Sequence, residues 1–106
     1  MKVLETVALE VCLDGSVRKE FSLDEVVTRD VIGHLGAVGS LEYFPSCARP
    51  FFRVTRPGCY VLKGVEGNAT FQVLFIIDSH QHEDDLTRHI EAYRRDEDGS
   101  VYAPAG

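Results

Sequence analysis

The chain has 106 residues, 44% of them apolar, which is enough for one domain with one modest core and excludes a chain disordered along its whole length. A domain of this size buries a small share of its surface, so self-association would be an ordinary way to gain stability. Asp and Glu total 17 against 11 Lys and Arg, and this acidic balance argues against nonspecific binding to nucleic acid or to an anionic membrane.

The first predicted element is a β-hairpin. Residues 3–13 alternate with a period of two, which indicates a half-buried strand whose apolar side consists of Val7, Leu9, Val11 and Leu13. Asp14-Gly15 predicts a tight turn, since both residues tolerate positive φ. A return strand is expected over residues 17–21.

A helix is predicted to begin at Ser22. Ser22 and Glu25 have the spacing of a capping box, and Phe21 and Val26 have that of a hydrophobic staple. The apolar stripe of this helix would consist of Leu23, Val27, Val31, Leu35 and Val38. The glycines at positions 33, 36 and 39 are its possible ends.

A short strand over 41–44 and a three-stranded antiparallel meander over 51–56, 59–65 and 70–77 follow, with turns at Pro57-Gly58 and Gly67-Asn68. Asp78 could cap a final helix over 79–95, and residues 97–106 are expected to form a flexible tail. The prediction is therefore a single α+β domain over 1–96. It has a mostly antiparallel sheet, made of an N-terminal hairpin, a short strand and the meander, with one helix after the hairpin and a C-terminal helix.

Two-residue turns would fix the two faces of the meander, pairing Thr55 with Tyr60, Arg53 with Leu62, and Leu62 with Val73. The core face would then carry Phe51, Tyr60, Leu62, Phe71, Val73, Phe75 and Ile77. The opposite face would carry Phe52, Val54, Arg56, Cys59, Val61, Lys63, Val65, Thr70, Gln72, Leu74 and Ile76.

The second of these faces mixes apolar and charged groups, which fits neither a core nor an ordinary solvated surface. If no helix covers it, we expect it to contact a second subunit or another protein. The residues predicted to make that contact are Phe52, Val54, Arg56, Val61, Lys63, Gln72 and Leu74. A register shift of one residue would exchange the two faces.

Basic and aromatic residues are interleaved between positions 49 and 63, a pattern typical of sheets that bind single-stranded nucleic acid. The basic residues are Arg49, Arg53, Arg56 and Lys63, and the aromatic ones are Phe51, Phe52 and Tyr60. The predicted pairing places Arg53 on one face and Lys63 on the other, so nucleic-acid binding is not favoured.

His80-Gln81-His82-Glu83-Asp84 follows an apolar strand and resembles the HxHxD element of metallo-β-lactamase-fold hydrolases. The resemblance implies a zinc ion bound by His80 and His82. The resemblance covers only five residues, and this chain is much shorter than those enzymes. Asp85 stands where they commonly have a further histidine. In the predicted helix the two side chains would point apart, so neither a metal nor another cofactor is predicted.

The best candidate for a reactive thiol is Cys47, which lies in a loop between two prolines and two residues from Arg49. His34 could approach it in space, although no acid or histidine lies at a recognisable spacing. Cys12 and Cys59 are expected to be structural. Three cysteines without a CxxC pair favour reduced thiols.

These observations predict a cytoplasmic, non-enzymatic interaction domain that self-associates or binds another protein through one face of the meander. Glu5 interrupts the apolar start, so no signal peptide is expected, and the apolar run 73–77 is too short to span a membrane. The alternative is a protein that binds a small ligand or metal, with possible catalysis, through Cys47, Arg49, Arg53 and the pair His80 and His82.

Overall fold

A computed structural model of the chain describes residues 1–77 and 79–93. In chain order the elements are β1 (Val3–Val11), β2 (Val17–Leu23), α1 (Arg29–Gly36), β3 (Ser40–Phe44), β4 (Phe51–Arg56), β5 (Tyr60–Val65), β6 (Thr70–Phe75) and α2 (Ser79–Glu91). The six strands form one antiparallel sheet in the order β1-β2-β6-β5-β4-β3. The α+β class is confirmed; the predicted cap at Asp78 and the tail over 97–106 lie outside the described residues.

The Asp14-Gly15 turn of the first hairpin is confirmed. Gly15 has a φ of 92°, and the Cys12 amide donates to the Ser16 carbonyl oxygen at 2.9 Å. The Asp14 carboxylate accepts from the Ser16 amide at 3.0 Å and from the Ser16 hydroxyl at 2.7 Å. These bonds close the loop between β1 and β2.

The predicted burial of one side of β1 was wrong, because Val7, Leu9, Val11 and Leu13 are all exposed. β1 is the outermost strand of the sheet, and its register against β2 shifts between Val3 and Glu5 and again between Ala8 and Glu10. Such irregularities interrupt the alternation of sides along a strand. An apolar pattern of period two therefore does not mark a core face here.

The predicted helix start was also wrong, because Ser22 and Leu23 continue β2 and the helix begins seven residues later. Ser22 pairs with Thr70 in β6, and the Leu23 amide donates to the Ala69 carbonyl oxygen at 2.8 Å. The segment after β2 is then held by Val27, which exchanges backbone hydrogen bonds with residues of the β5–β6 turn. Thr28 caps the helix instead, its hydroxyl accepting from the Val31 amide at 3.3 Å.

The core lies between one face of the sheet and the two helices. Its helical side chains are Val31, Ile32, Leu35, Leu86 and Ile90. Its strand side chains are Phe21, Leu23, Phe52, Val54, Tyr60, Leu62, Phe71, Val73 and Phe75. Each fully buried large apolar side chain contributes roughly 1.5–3 kcal/mol to folding, so this single layer accounts for most of the favourable burial.

α2 is held on the same side of the sheet as α1. Lys19, on the core side of β2, forms an ion pair with Glu83 near the start of α2. At the other end of the helix, the Val3 amide donates to the Glu91 carboxylate at 3.1 Å. Because both helices pack on one face of the sheet, neither helix covers the opposite face.

The predicted register between β4 and β5 was wrong by one residue, whereas the predicted pair Leu62–Val73 between β5 and β6 is confirmed. Arg56 pairs with Tyr60, so the turn has three residues and not two, with Gly58 at a φ of 76°. One extra turn residue exchanges the two sides of β4. Phe52 and Val54, which were assigned to the contact face, are fully buried in the core.

Candidate functional site: the open face of the sheet

The face of the sheet opposite the helices, called the open face below, is the most unusual surface among the described residues. Its central row crosses all six strands and consists of Val7, Glu20, Gln72, Lys63, Arg53 and Glu42. A second row consists of Glu10, Arg18, Leu74, Val61, Thr55 and Ser40. On the other side of the central row lie Ser22, Thr70, Val65, Phe51 and Phe44.

Four of the seven residues predicted to make the contact lie on the open face: Val61, Lys63, Gln72 and Leu74. Arg56 does not, because it pairs with Tyr60 on the core side, where its guanidinium donates to the Val38 carbonyl oxygen at 3.4 Å. The corrected register brings Arg53 onto the open face, directly across from Lys63.

Apolar groups are exposed on both sides of the central row. Phe44 and Phe51 stack with ring centroids 4.6 Å apart, and each is partly exposed. Val61 and Leu74 are paired neighbours and half-buried. An antiparallel sheet can face water on one side, but such faces are normally polar, so the exposed apolar groups set this face apart from an ordinary solvated one.

The charges on the two complete rows balance. The basic residues are Arg18, Arg53 and Lys63, and the acidic residues are Glu10, Glu20 and Glu42. Arg53 binds Glu42 with a guanidinium-to-carboxylate distance of 2.6 Å, and Arg18 lies 3.8 Å from Glu10. The side chains of Glu20 and Lys63 have no hydrogen bond or ion pair within the described part of the chain.

Shallow depressions on the open face meet at Lys63. One, of about 460 Å³, is lined by Arg49, Phe51, Lys63, Gln72 and Glu20 among others. Neighbouring depressions of about 330 Å³ and 190 Å³ share Lys63 and Arg53. Two residues of the alternative ligand site, Arg49 and Arg53, thus reach adjoining parts of one surface.

The other residues of the alternative site do not join them. Cys47 is exposed in the loop before β4 and lines none of these depressions. His80 and His82 lie in the first turn of α2, and the ring of His82 packs edge-on against Tyr60 at 6.3 Å. No group of three or more His, Cys, Asp or Glu side chains within residues 1–77 and 79–93 could hold a metal ion.

At one end of the sheet lies a polar cluster that no local sequence motif indicates. The Tyr43 hydroxyl donates to the Glu66 carboxylate, and the Arg29 guanidinium lies 5.8 Å from the Tyr43 ring centroid. A hydrogen bond between Arg29 and Tyr43 raises the pKa of the Arg29 guanidinium above its usual value. This cluster joins the start of α1 to β3 and to the β5–β6 turn, which is a structural role.

No protein-family model matches the chain, and comparisons with curated proteins and with solved structures also find no match. Among the described residues, neither helix is long and apolar enough to cross a membrane.

Proposed function

We propose that this protein is a non-enzymatic interaction domain that self-associates through the open face of its sheet. The observation that carries the proposal is that both helices pack on one face, while the other face exposes apolar side chains among charges of both signs. A surface with balanced charges is suited to binding its own copy, since each basic group can meet an acidic one.

The size of the open face limits the size of the interface. Six strands spaced about 4.8 Å apart and about 20 Å long give roughly 500 Å² per copy, or roughly 1,000 Å² in a dimer. This is near the lower limit for a specific interface. Interfaces this small are typical of weak, transient complexes, so we expect a reversible dimer with a Kd in the range of about 1–100 µM.

The test is sedimentation velocity over protein concentrations from about 1 µM to about 1 mM. Leu74→Asp places a carboxylate in the middle of the open face and should leave a folded monomer. The matched control is Val26→Asp, which changes an exposed apolar side chain between β2 and α1 and should leave the dimer intact. A wild-type protein that stays monomeric throughout would refute the proposal.

A small anionic ligand is the second candidate, favoured by the 460 Å³ depression in which Arg49 and Lys63 lie near the exposed ring of Phe51. Two cations beside an aromatic ring could bind a carboxylate or phosphate that carries a flat apolar group. Native mass spectrometry of untagged protein, purified without chelator, separates the two candidates. A dimer without extra mass supports self-association, and a monomer with extra mass supports the ligand.

Nucleic-acid binding remains disfavoured for a different reason from the one predicted. Arg53 and Lys63 share a face with Phe44 and Phe51, as they would in a sheet that binds single strands. The acidic residues of the same rows cancel the positive charge that a phosphate backbone requires. We expect no binding to short oligonucleotides at either low or high salt.

A further inference from the structure

Glu20 and Lys63 carry opposite charges on either side of β6, and within the described residues neither side chain has an ion-pair partner. Both pair in the sheet with Gln72, Glu20 from β2 and Lys63 from β5, so Gln72 lies between them on β6. Neighbouring strands are about 4.8 Å apart, which puts the backbones of Glu20 and Lys63 about 10 Å apart. The other charges of these rows have partners within the chain, namely Arg53 with Glu42 and Arg18 with Glu10.

In a symmetric dimer every contact between two different residues occurs twice. When two sheets pack face to face, a two-fold axis that runs along β6 exchanges the strands on either side of it. Glu20 of one copy then lies over Lys63 of the second copy, and the reverse contact forms at the same time. The same axis sets Leu74 against Leu74 and Gln72 against Gln72, whose amides can both donate and accept.

The other simple arrangement has the two-fold axis running across the strands, along the central row. Each residue of that row would then face its own counterpart, so that Glu20 would meet Glu20 and Lys63 would meet Lys63. Like charges brought together at an interface cost several kcal/mol, more than an interface of this size can offset. Of these two arrangements, the charge pattern favours the axis along β6.

We propose that this protein forms a two-fold dimer with the axis along β6, in which Glu20 of each copy forms an ion pair with Lys63 of the other. The inference rests on the proposed self-association through the open face. It adds the orientation of the second copy and the two residues that select it.

The test uses two charge reversals, Glu20→Lys and Lys63→Glu, in the full chain. Each alone puts like charges in both contacts, so each should dimerise at least about tenfold more weakly than the wild type. An equimolar mixture should form a heterodimer, since both contacts then join opposite charges. The double variant Glu20→Lys/Lys63→Glu should again self-associate. Circular dichroism and thermal unfolding check that each variant is folded.

The outcomes separate this inference from the proposed function. If Leu74→Asp abolishes the dimer but the two charge reversals dimerise like the wild type, the open face is the interface and the proposed pairing is wrong. Single variants that are monomeric and stay so on mixing would also overturn the pairing. Should a reversal fail to fold, Glu20→Gln and Lys63→Gln replace it, and a double-mutant cycle on the Kd must show coupling between the two residues.

Discussion

His34 in α1 and His89 in α2 bind each other's backbone: the Nε2 atom of each lies 2.6 Å from the carbonyl oxygen of the other. Their rings are parallel to within 4°, with centroids 4.1 Å apart, and Tyr93 packs edge-on against His34. A carbonyl oxygen only accepts, so each Nε2 donates. Both carbonyls belong to the last turns of their helices, where each also accepts a backbone amide, from Ala37 at 3.2 Å for His34 and from Ala92 at 3.3 Å for His89, so the histidine is a second donor to the same oxygen. The pair therefore joins the two helices that cover the core.

The first prediction concerns this histidine pair. His34→Ala and His89→Ala should each lower the free energy of unfolding by about 1–2 kcal/mol, because each removes a hydrogen bond and the ring stack. The double variant should lose less than the two single losses together, since the contacts are shared. Urea denaturation gives these values. His80→Ala, which changes an exposed residue at the start of α2, is the control and should have almost no effect.

The second prediction tests the corrected register of β4. Phe52 is fully buried, whereas its neighbour Phe51 is 40% exposed on the open face. Phe52→Ala should lower the free energy of unfolding by about 3–5 kcal/mol, and Phe51→Ala by about 1 kcal/mol through loss of its stack on Phe44. Chemical denaturation, at a protein concentration too low for dimers to form, measures both losses of unfolding free energy. Equal losses, or a larger loss for Phe51→Ala, would favour the register with a two-residue turn.

The strand positions of the meander could be predicted, but the sides of β4 could not. Pro57-Gly58 correctly indicates a turn between β4 and β5, and the residues on each side are apolar enough to form strands. Nothing in the local sequence decides between a two-residue and a three-residue turn there. Both Phe51 and Phe52 suit a core position, so composition could not correct the choice.

The predicted start of α1 was wrong for a different reason. The capping box at Ser22 is a local signal worth about 1 kcal/mol. Extending β2 instead satisfies several backbone groups against β6 and the β5–β6 turn, and it buries Leu23. That partner strand begins 48 residues after Ser22, at Thr70, and its position beside β2 is not visible in the local pattern.

The candidate site was predicted in part. Val61, Lys63, Gln72 and Leu74 could be assigned to one face, because the β5–β6 register follows from its turn. Glu20 was missed, because it reaches that face only through the pairing of β2 with β6, which joins two strands far apart in the chain. The charge balance that supports self-association depends on this long-range pairing.

The third prediction compares two glycines near the end of α1. A Cβ added at Gly39 would lie 2.2 Å from the Thr55 carbonyl oxygen, a backbone atom that cannot move without shifting β4. Gly39→Ala should therefore lower the free energy of unfolding by roughly 1–3 kcal/mol. Gly33, inside α1, has nothing within 4 Å of an added Cβ, so Gly33→Ala should raise stability by about 0.5–1 kcal/mol. Thermal and urea unfolding must show that Gly39→Ala lowers the free energy of unfolding and that Gly33→Ala raises it.

The fourth prediction concerns the pH dependence of the first hairpin. Hydrogen bonds from the backbone amide and then the hydroxyl of Ser16 lower the pKa of the Asp14 carboxyl below its usual value. A group whose pKa is lower in the folded state adds stability above its unfolded pKa, and this stability is lost as the pH falls through the folded pKa. Ser16→Ala removes the hydroxyl and keeps the amide, so it should raise the Asp14 pKa without restoring it fully.

Carboxyl NMR titration measures the Asp14 pKa directly in both proteins. The difference in unfolding free energy between the wild type and Ser16→Ala should be largest near neutral pH and should shrink in acid, where Asp14 is protonated in both. Asp85, whose pKa is lowered by hydrogen bonds from Gln81 and then Arg88, lies in α2 and should titrate identically in the two proteins. If Asp14 in the wild type titrates at its ordinary value, the Asp14–Ser16 bonds do not hold the hairpin turn in solution.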